Sequence, residues 1–279
     1  MSDGHLKFRL LFTVLILLSA GSIFAADSKP DQQLVRTLMQ KSGLSRQIEL
    51  IPEVIREGII EANEESDREL DQEDLDALLK KTREAFDAKI LIDTVERHLQ
   101  EHMSVTDIRS VMKWINSPLG RKVSKLEAEA STAAAFREIK KLLEQGVKRT
   151  RRTALLAKLD KAVKATDVGV SIAINLQVAF ILAATAEMPE EQRPAMEEIT
   201  KEVKEGKEQL RLAMERETMA GFIYTYRSLT DTEIKRYIAF AESEAGMKYH
   251  AVSAEGLNTA LTQAGFALGN KMAHDGDDK

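Results

Sequence analysis

The chain has no cysteine among its 279 residues. That excludes disulfides, thiolate metal sites and lipid attachment through a cysteine behind a leader, so the fold must be held by packing. Positive charge is not in excess either: 40 Lys and Arg stand against 45 Asp and Glu, a formal net charge of −5. Without residues 1–25, which carry Lys7, Arg9 and Asp3, the balance is 38 against 44, or −6. Such a balance offers no basic face to a nucleic acid. Strand signals are almost absent, and Trp114 is the lone tryptophan. No G-x-S-x-G elbow, phosphate-binding glycine loop or serine triad occurs. These absences predict a protein that is not an enzyme and carries no cofactor.

What is present begins at the N-terminus. His5, Lys7 and Arg9 precede an apolar run from Leu10 to Ala20, which gives way to small residues ending at Ala25-Ala26. This is the pattern of a secretory signal peptide over residues 1–25, cleaved after Ala25 with Ile23 at minus three. The run falls short of the roughly twenty residues that cross hydrocarbon. A periplasmic protein without a stable membrane span is expected; the alternative is an inner-membrane anchor formed by the uncleaved segment.

The remainder reads itself twice. Met103 to Lys122 lies over Leu229 to Lys248 without a gap at a constant offset of 126, and five of the twenty pairs are identical. Chance supplies roughly one, so the pattern is that of a tandem duplication. Ser104 with Asp107, and Thr230 with Glu233, stand where a capping box opens a helix, the hydroxyl accepting from an orphan amide and the acid reaching back. Ile108, Val111, Met112 and Ile115 follow at helical spacing, matched by Ile234, Tyr237, Ile238 and Ala241. Trp114 pairs with Phe240 across the repeat, which places both in the core or between helices. Ser117 and Pro118 read as a helix restart, with Ser117 capping and Pro118 at the first helical position. Gly120 and Gly246 mark places where another helix can approach closely.

Leu34 to Ile60 and Leu155 to Leu182 each read as two helices, at an offset near 121, with Ser45 and Thr166 as candidate caps. Polar stretches follow at Asn63 to Asp71 and Glu187 to Pro194, and then a long charged helix leads into each capping box. Asp71-Gln72-Glu73-Asp74 reads as a helix start rather than a calcium loop, since the glycine and alternating oxygen ligands are missing. Gly146 can end a helix at the seam, beside the basic run Lys148 to Arg152, which is expected to be solvated. The expectation is an all-α protein with a signal peptide over 1–25, a first helical repeat over 26–147, a second over 148–273 and a disordered tail over 274–279. Each half is predicted to be a bundle-like unit of four to five helices.

Two segments raise chemistry. His98 and His102 stand four apart in H-x-x-E-H order, the spacing by which two helical histidines share a metal in inverzincin peptidases. The second copy has Tyr224 and Ser228 there, so the pair lies outside the repeated framework and reads as two histidines near a helix C-terminus, where positive character suits the dipole. Val168 to Ala186 is the most apolar stretch after the leader. Asn175 and Gln177 at its centre argue against a membrane span, leaving a buried helix, an apolar ligand cleft or an oligomer contact.

The capping-box helix followed by Ser117-Pro118-Leu119-Gly120-Arg121-Lys122 resembles the bacterial family catalogued as domain of unknown function twenty fifty-nine. Its members are small exported helical proteins with an acidic or hydroxyl helix start, an apolar-aromatic helix and an S-P-x-G-x-K-like turn. The resemblance covers residues 95–130 and, more loosely, Leu34 to Ile60; the second copy departs from it at Glu244 and Ala245. It implies an exported helical protein and brings no activity, cofactor or catalytic residue.

Export, duplication and the lack of a catalytic constellation point first to a non-enzymatic periplasmic scaffold or envelope accessory protein, its partner an unknown protein or envelope component. A carrier of an apolar or amphiphilic ligand in a cleft lined by Val168 to Ala186 is the second reading. A metal-dependent hydrolase at His98 and His102 is the third.

Overall fold

The computed structural model describes residues 28–64, 69–185 and 194–274. The leader and residues 275–279 of the tail lie outside them, while His274 is the last residue of the final helix. The described residues are helical throughout and include no strand. In chain order the helices are α1 (Gln32–Lys41), α2 (Leu44–Glu64), α3 (Gln72–Ala85), α4 (Ala88–His102), α5 (Val105–Ile115), α6 (Pro118–Ala130), α7 (Ala133–Gln145), α8 (Arg151–Val163), α9 (Ala165–Thr185), α10 (Met196–Thr225), α11 (Asp231–Ala241) and α12 (Glu244–His274).

Their limits follow from side chains that satisfy orphan helix amides. Asp71 accepts from the Asp74 amide to open α3, Ser117 accepts from Gly120 to open α6 with Pro118 at its start, and Gly146 ends α7 at a φ of 74°. Ser45 and Thr166 do not cap: they lie inside the first turns of α2 and α9. The chain reverses two residues earlier, at Gly43 (φ 82°) and Lys164 (φ 59°), which stand 121 apart. Thr166 is instead held by Asp160, which accepts from its amide and its hydroxyl at 2.8 and 2.7 Å.

Among the described residues, 148–273 hold five helices, α8 to α12, and 26–147 hold seven, more than the four to five expected of each. Asp87, accepting from Lys89 and Ile90, separates α3 from α4, and Ser131 with the cap Thr132 separates α6 from α7. At the offset of 126 these breaks fall on Ala213 and Leu257, inside the uninterrupted α10 and α12.

Two hydrophobic cores result, and each is completed by the other half. The first joins α1 to α5, through residues such as Leu38, Ile48, Leu91 and Ile108, to Leu257, Leu261 and Leu268 of α12. The second joins Leu156, Leu159, Ile234 and Ile238 to Leu119 and Val123 of α6. Helices α6 and α12 are therefore exchanged. Full burial of such an aliphatic side chain contributes about 1.5–3 kcal/mol, so neither core is complete without the helix it borrows.

The exchange happens at two corners, α5 into α6 and α11 into α12. Gly120 and Gly246 make the corners possible by letting each helix close on the end of the one before it. A Cβ on Gly120 would fall on the Trp114 carbonyl oxygen and 2.9 Å from Ile115 Cα; on Gly246 it would fall on the Phe240 carbonyl oxygen and 3.1 Å from Ala241 Cα. The corners face each other. Trp114 stacks on Phe240, ring centroids 4.6 Å apart and planes within 8°. Lys122 reaches Glu233 at 2.8 Å, and Lys248 reaches Asp107 at 2.5 Å. The two ion pairs are thus reciprocal at the offset of 126, and Trp114 meets its own counterpart.

Candidate functional site

Where the corners meet, the helices leave a cavity of about 470 Å³, partly open to solvent. Its wall repeats the offsets: Val111 with Tyr237, Trp114 with Phe240 and Glu127 with Ser253 are 126 apart, and Ser42 with Val163 and Leu44 with Ala165 are 121 apart. The cavity is therefore lined in part by residues that correspond at the two offsets. Phe136 of α7 and Phe222 of α10 close it from sides that have no counterpart.

The polar groups of this wall are mostly hydroxyls, with Glu127 as the carboxyl among the described residues. Leu119, Val123 and Glu127 form one stripe of α6 at four-residue spacing, so the fold that buries the first two carries a carboxyl inward with them. Tyr226, just past α10, donates to Glu127 Oε1 at 2.8 Å, and Tyr237 of α11 donates to the same oxygen at 3.1 Å. Among the described residues no Lys or Arg lines the cavity, and Glu127 has no cationic partner. Glu127 keeps intermediate accessibility because it faces the cavity; its carboxyl is nonetheless enclosed, and loss of water pushes its pKa up to about 7 despite the two tyrosine hydrogen bonds. Burial and the neighbouring Glu127 charge push both hydroxyls well above the usual tyrosine range.

Helix α12 supplies the opposite wall. Burial raises the Tyr249 hydroxyl to about 12. Burial first, and the charge of Lys164 second, lower His250 to about 4, so its ring is neutral near pH 7. Its Nε2 is buried and has no hydrogen-bond partner. An enclosed ring nitrogen without a partner is a place where a bound group can supply one.

The residues expected from sequence divide into two sets. Ser104, Asp107, Thr230 and Glu233 form both capping boxes, and Ser117, Pro118, Gly120 and Gly246 build the corners. Trp114 and Phe240 sit between helices and also line the cavity. His98 and His102 stand apart from it on α4. Their rings stack at 4.1 Å, His102 Nδ1 lies 2.9 Å from the His98 carbonyl, and His98 is pressed against Gly256 of α12. Glu255 comes only to 3.7 Å of His98 Nε2, and no group of three or more potential metal ligands gathers among the described residues.

The apolar segment expected to line a cleft touches the cavity at Val168. Most of it, in α9, packs on α10 and α12, where Asn175 donates to Asn258 and accepts from Thr262. No helix among the described residues is long and apolar enough to cross a membrane. Within the basic run, Arg152 is drawn inward rather than solvated: it bonds Asp231 and the Tyr226 and Leu229 carbonyls at 2.7–3.0 Å.

Sequence reasoning missed Glu127, Tyr226 and His250. The signal for Glu127 was present, an acid in register with Leu119 and Val123 on an apolar stripe. His250 reaches the cavity on α12, and Tyr226 meets Glu127 because α6 packs on α10 and α11. No protein family, curated protein or solved structure matches the chain.

Proposed function

We propose that this protein binds a small apolar or amphiphilic molecule in the cavity between its halves, and that it acts as a carrier or ligand-responsive binding protein rather than an enzyme. The observation that carries this reading is the cavity itself: a volume within the range of small-molecule sites and an amphiphilic wall, aromatic and aliphatic side chains interspersed with hydroxyls, Glu127 and His250. It favours the ligand-carrying alternative over a scaffold that meets its partner on a surface. Export to the periplasm is part of the proposal and rests on the pattern of residues 1–25; membership of the resembled exported family rests on the 95–130 segment.

The lone tryptophan lines the cavity, so ligand entry should alter Trp114 emission. Native mass spectrometry of protein purified without detergent should show an added mass of lipid or metabolite size, and titration with amphiphiles should change the fluorescence in a saturable way. Repeated apo spectra together with a silent Trp114 across neutral, anionic and cationic amphiphiles would overturn the reading.

A further inference from the structure

We propose that the cavity selects cations: an organic ammonium group docks at Glu127 Oε2, with its apolar remainder against the aromatic wall. This rests on the ligand-binding reading above and adds the chemical class. Three observations point the same way. Among the described residues, Glu127 is the sole acidic side chain of a lining that contains no Lys or Arg. Its two tyrosine donors both go to Oε1, leaving Oε2 without a partner among the described residues. The rings of Trp114, Phe222, Tyr226, Tyr237 and Phe240 line the same space, and aromatic faces attract a cation in addition to the carboxylate.

The other groups facing Glu127 do not supply the missing charge. Tyr226 and Tyr237 are neutral donors, Tyr249 from α12 is neutral, and His250 is uncharged near pH 7. Lys164, at the junction of α8 and α9, acts on His250 but is not part of the lining. Without ligand, Glu127 titrates near neutrality. An arriving cation favours the carboxylate and expels a proton, so cation affinity should rise with pH through that range. An anion meets the opposite balance. A neutral ligand held by the protonated acid would take a proton up instead.

The test compares decyltrimethylammonium, decyl sulfate and decanol, each below its micellar concentration, by Trp114 fluorescence and by calorimetry in buffers of different ionisation enthalpy. The expected result is binding of the ammonium at least about tenfold tighter than of the sulfate, proton release on binding, and about tenfold tightening or more from mildly acidic to mildly alkaline pH. Glu127→Gln should erase the preference while decanol binding persists. Should that variant not fold, the pH dependence of the unaltered protein decides. Equal binding of all three amphiphiles, or proton uptake, would overturn the cation site and leave the carrier reading intact. Binding of none would overturn both.

Discussion

The corner from Ser104 to Lys122 and the corner from Thr230 to Lys248 share a framework and differ in what they carry into the interior. Each has a reciprocal capping box, an eleven-residue helix, a serine-capped restart, a glycine under the preceding carbonyl and a lysine that crosses to the other corner. Beyond the lysines they diverge. Helix α6 stops at Ala130 and bears Glu127, whereas α12 continues to His274 and has Ser253 at the corresponding position. The features that set chain direction are thus common to both halves, and the feature that gives the cavity its charge belongs to one.

Four measurements can break or sharpen that comparison. The largest effect is expected at the glycines. Gly120→Ala and Gly246→Ala drive a methyl group into backbone, and each should cost about 3 kcal/mol in denaturant unfolding. Gly120→Ala should be at least as costly, because Pro118 fixes the restart that Glu244 can relax. A negligible effect at either site would dissolve the equivalence of the corners.

Next comes Glu127→Gln. The folded pKa of Glu127 is raised from 4.5 to about 7, so its contribution to stability is full below pH 4.5 and is lost as pH rises through about 7. His250 runs the other way, losing stability as pH falls from 6.5 through about 4. The difference between parent and variant isolates Glu127, and the variant should gain about 2 kcal/mol relative to the parent between pH 4.5 and 7. A pH-independent difference would mean that the carboxyl is hydrated and the halves are electrostatically alike. Serine 253 offers the internal control, since Ser253→Ala should leave the pH profile unchanged.

The caps come third. Ser104→Ala and Thr230→Ala should each cost about 1 kcal/mol, and unequal values would rank the two helix starts. The crossing lysines are last. Lys248→Met should cost under about 1 kcal/mol, because its side chain is 41% exposed, and Lys122→Met less, since Glu233 is the more exposed of the two acids. On the acid side, the Lys122 and Thr230 hydrogen bonds hold Glu233 down to about 2. Its contribution is present above 4.5 and is lost as pH falls through about 2. For Asp107, the pull of Lys248 and Ser104 outweighs burial and gives the same sign.

Much of the architecture was legible because it is local. Hydroxyls at Ser104, Ser117 and Thr230, the acid at Asp71 and the glycine at 146 act on amides or carbonyls within a few residues, so spacing alone locates them. The exchange of α6 and α12 was not legible, because a corner fixes an angle and leaves open which core the next helix joins. One trace of it existed: Asp107 and Glu233 are acids, Lys122 and Lys248 are bases, and all four hold matched positions. That pattern fits reciprocal pairing across the corners, but pairing within each copy fits it equally well, and only the three-dimensional path separates them. The cavity was hidden for the same reason, since its walls are far apart in sequence.

The borrowed wall of the first core has a consequence for how the chain comes together. Val35 and Leu268 belong to one core although 233 positions separate them. Helices α1 to α5 are synthesised before α12, yet they have no complete interior until that 31-residue helix has emerged. Pairings of such long range are slow to form and leave apolar faces uncovered meanwhile. The nascent chain should therefore be at its most vulnerable to aggregation and proteases in its oldest part, and loss of a few C-terminal turns should unravel the opposite end of the molecule.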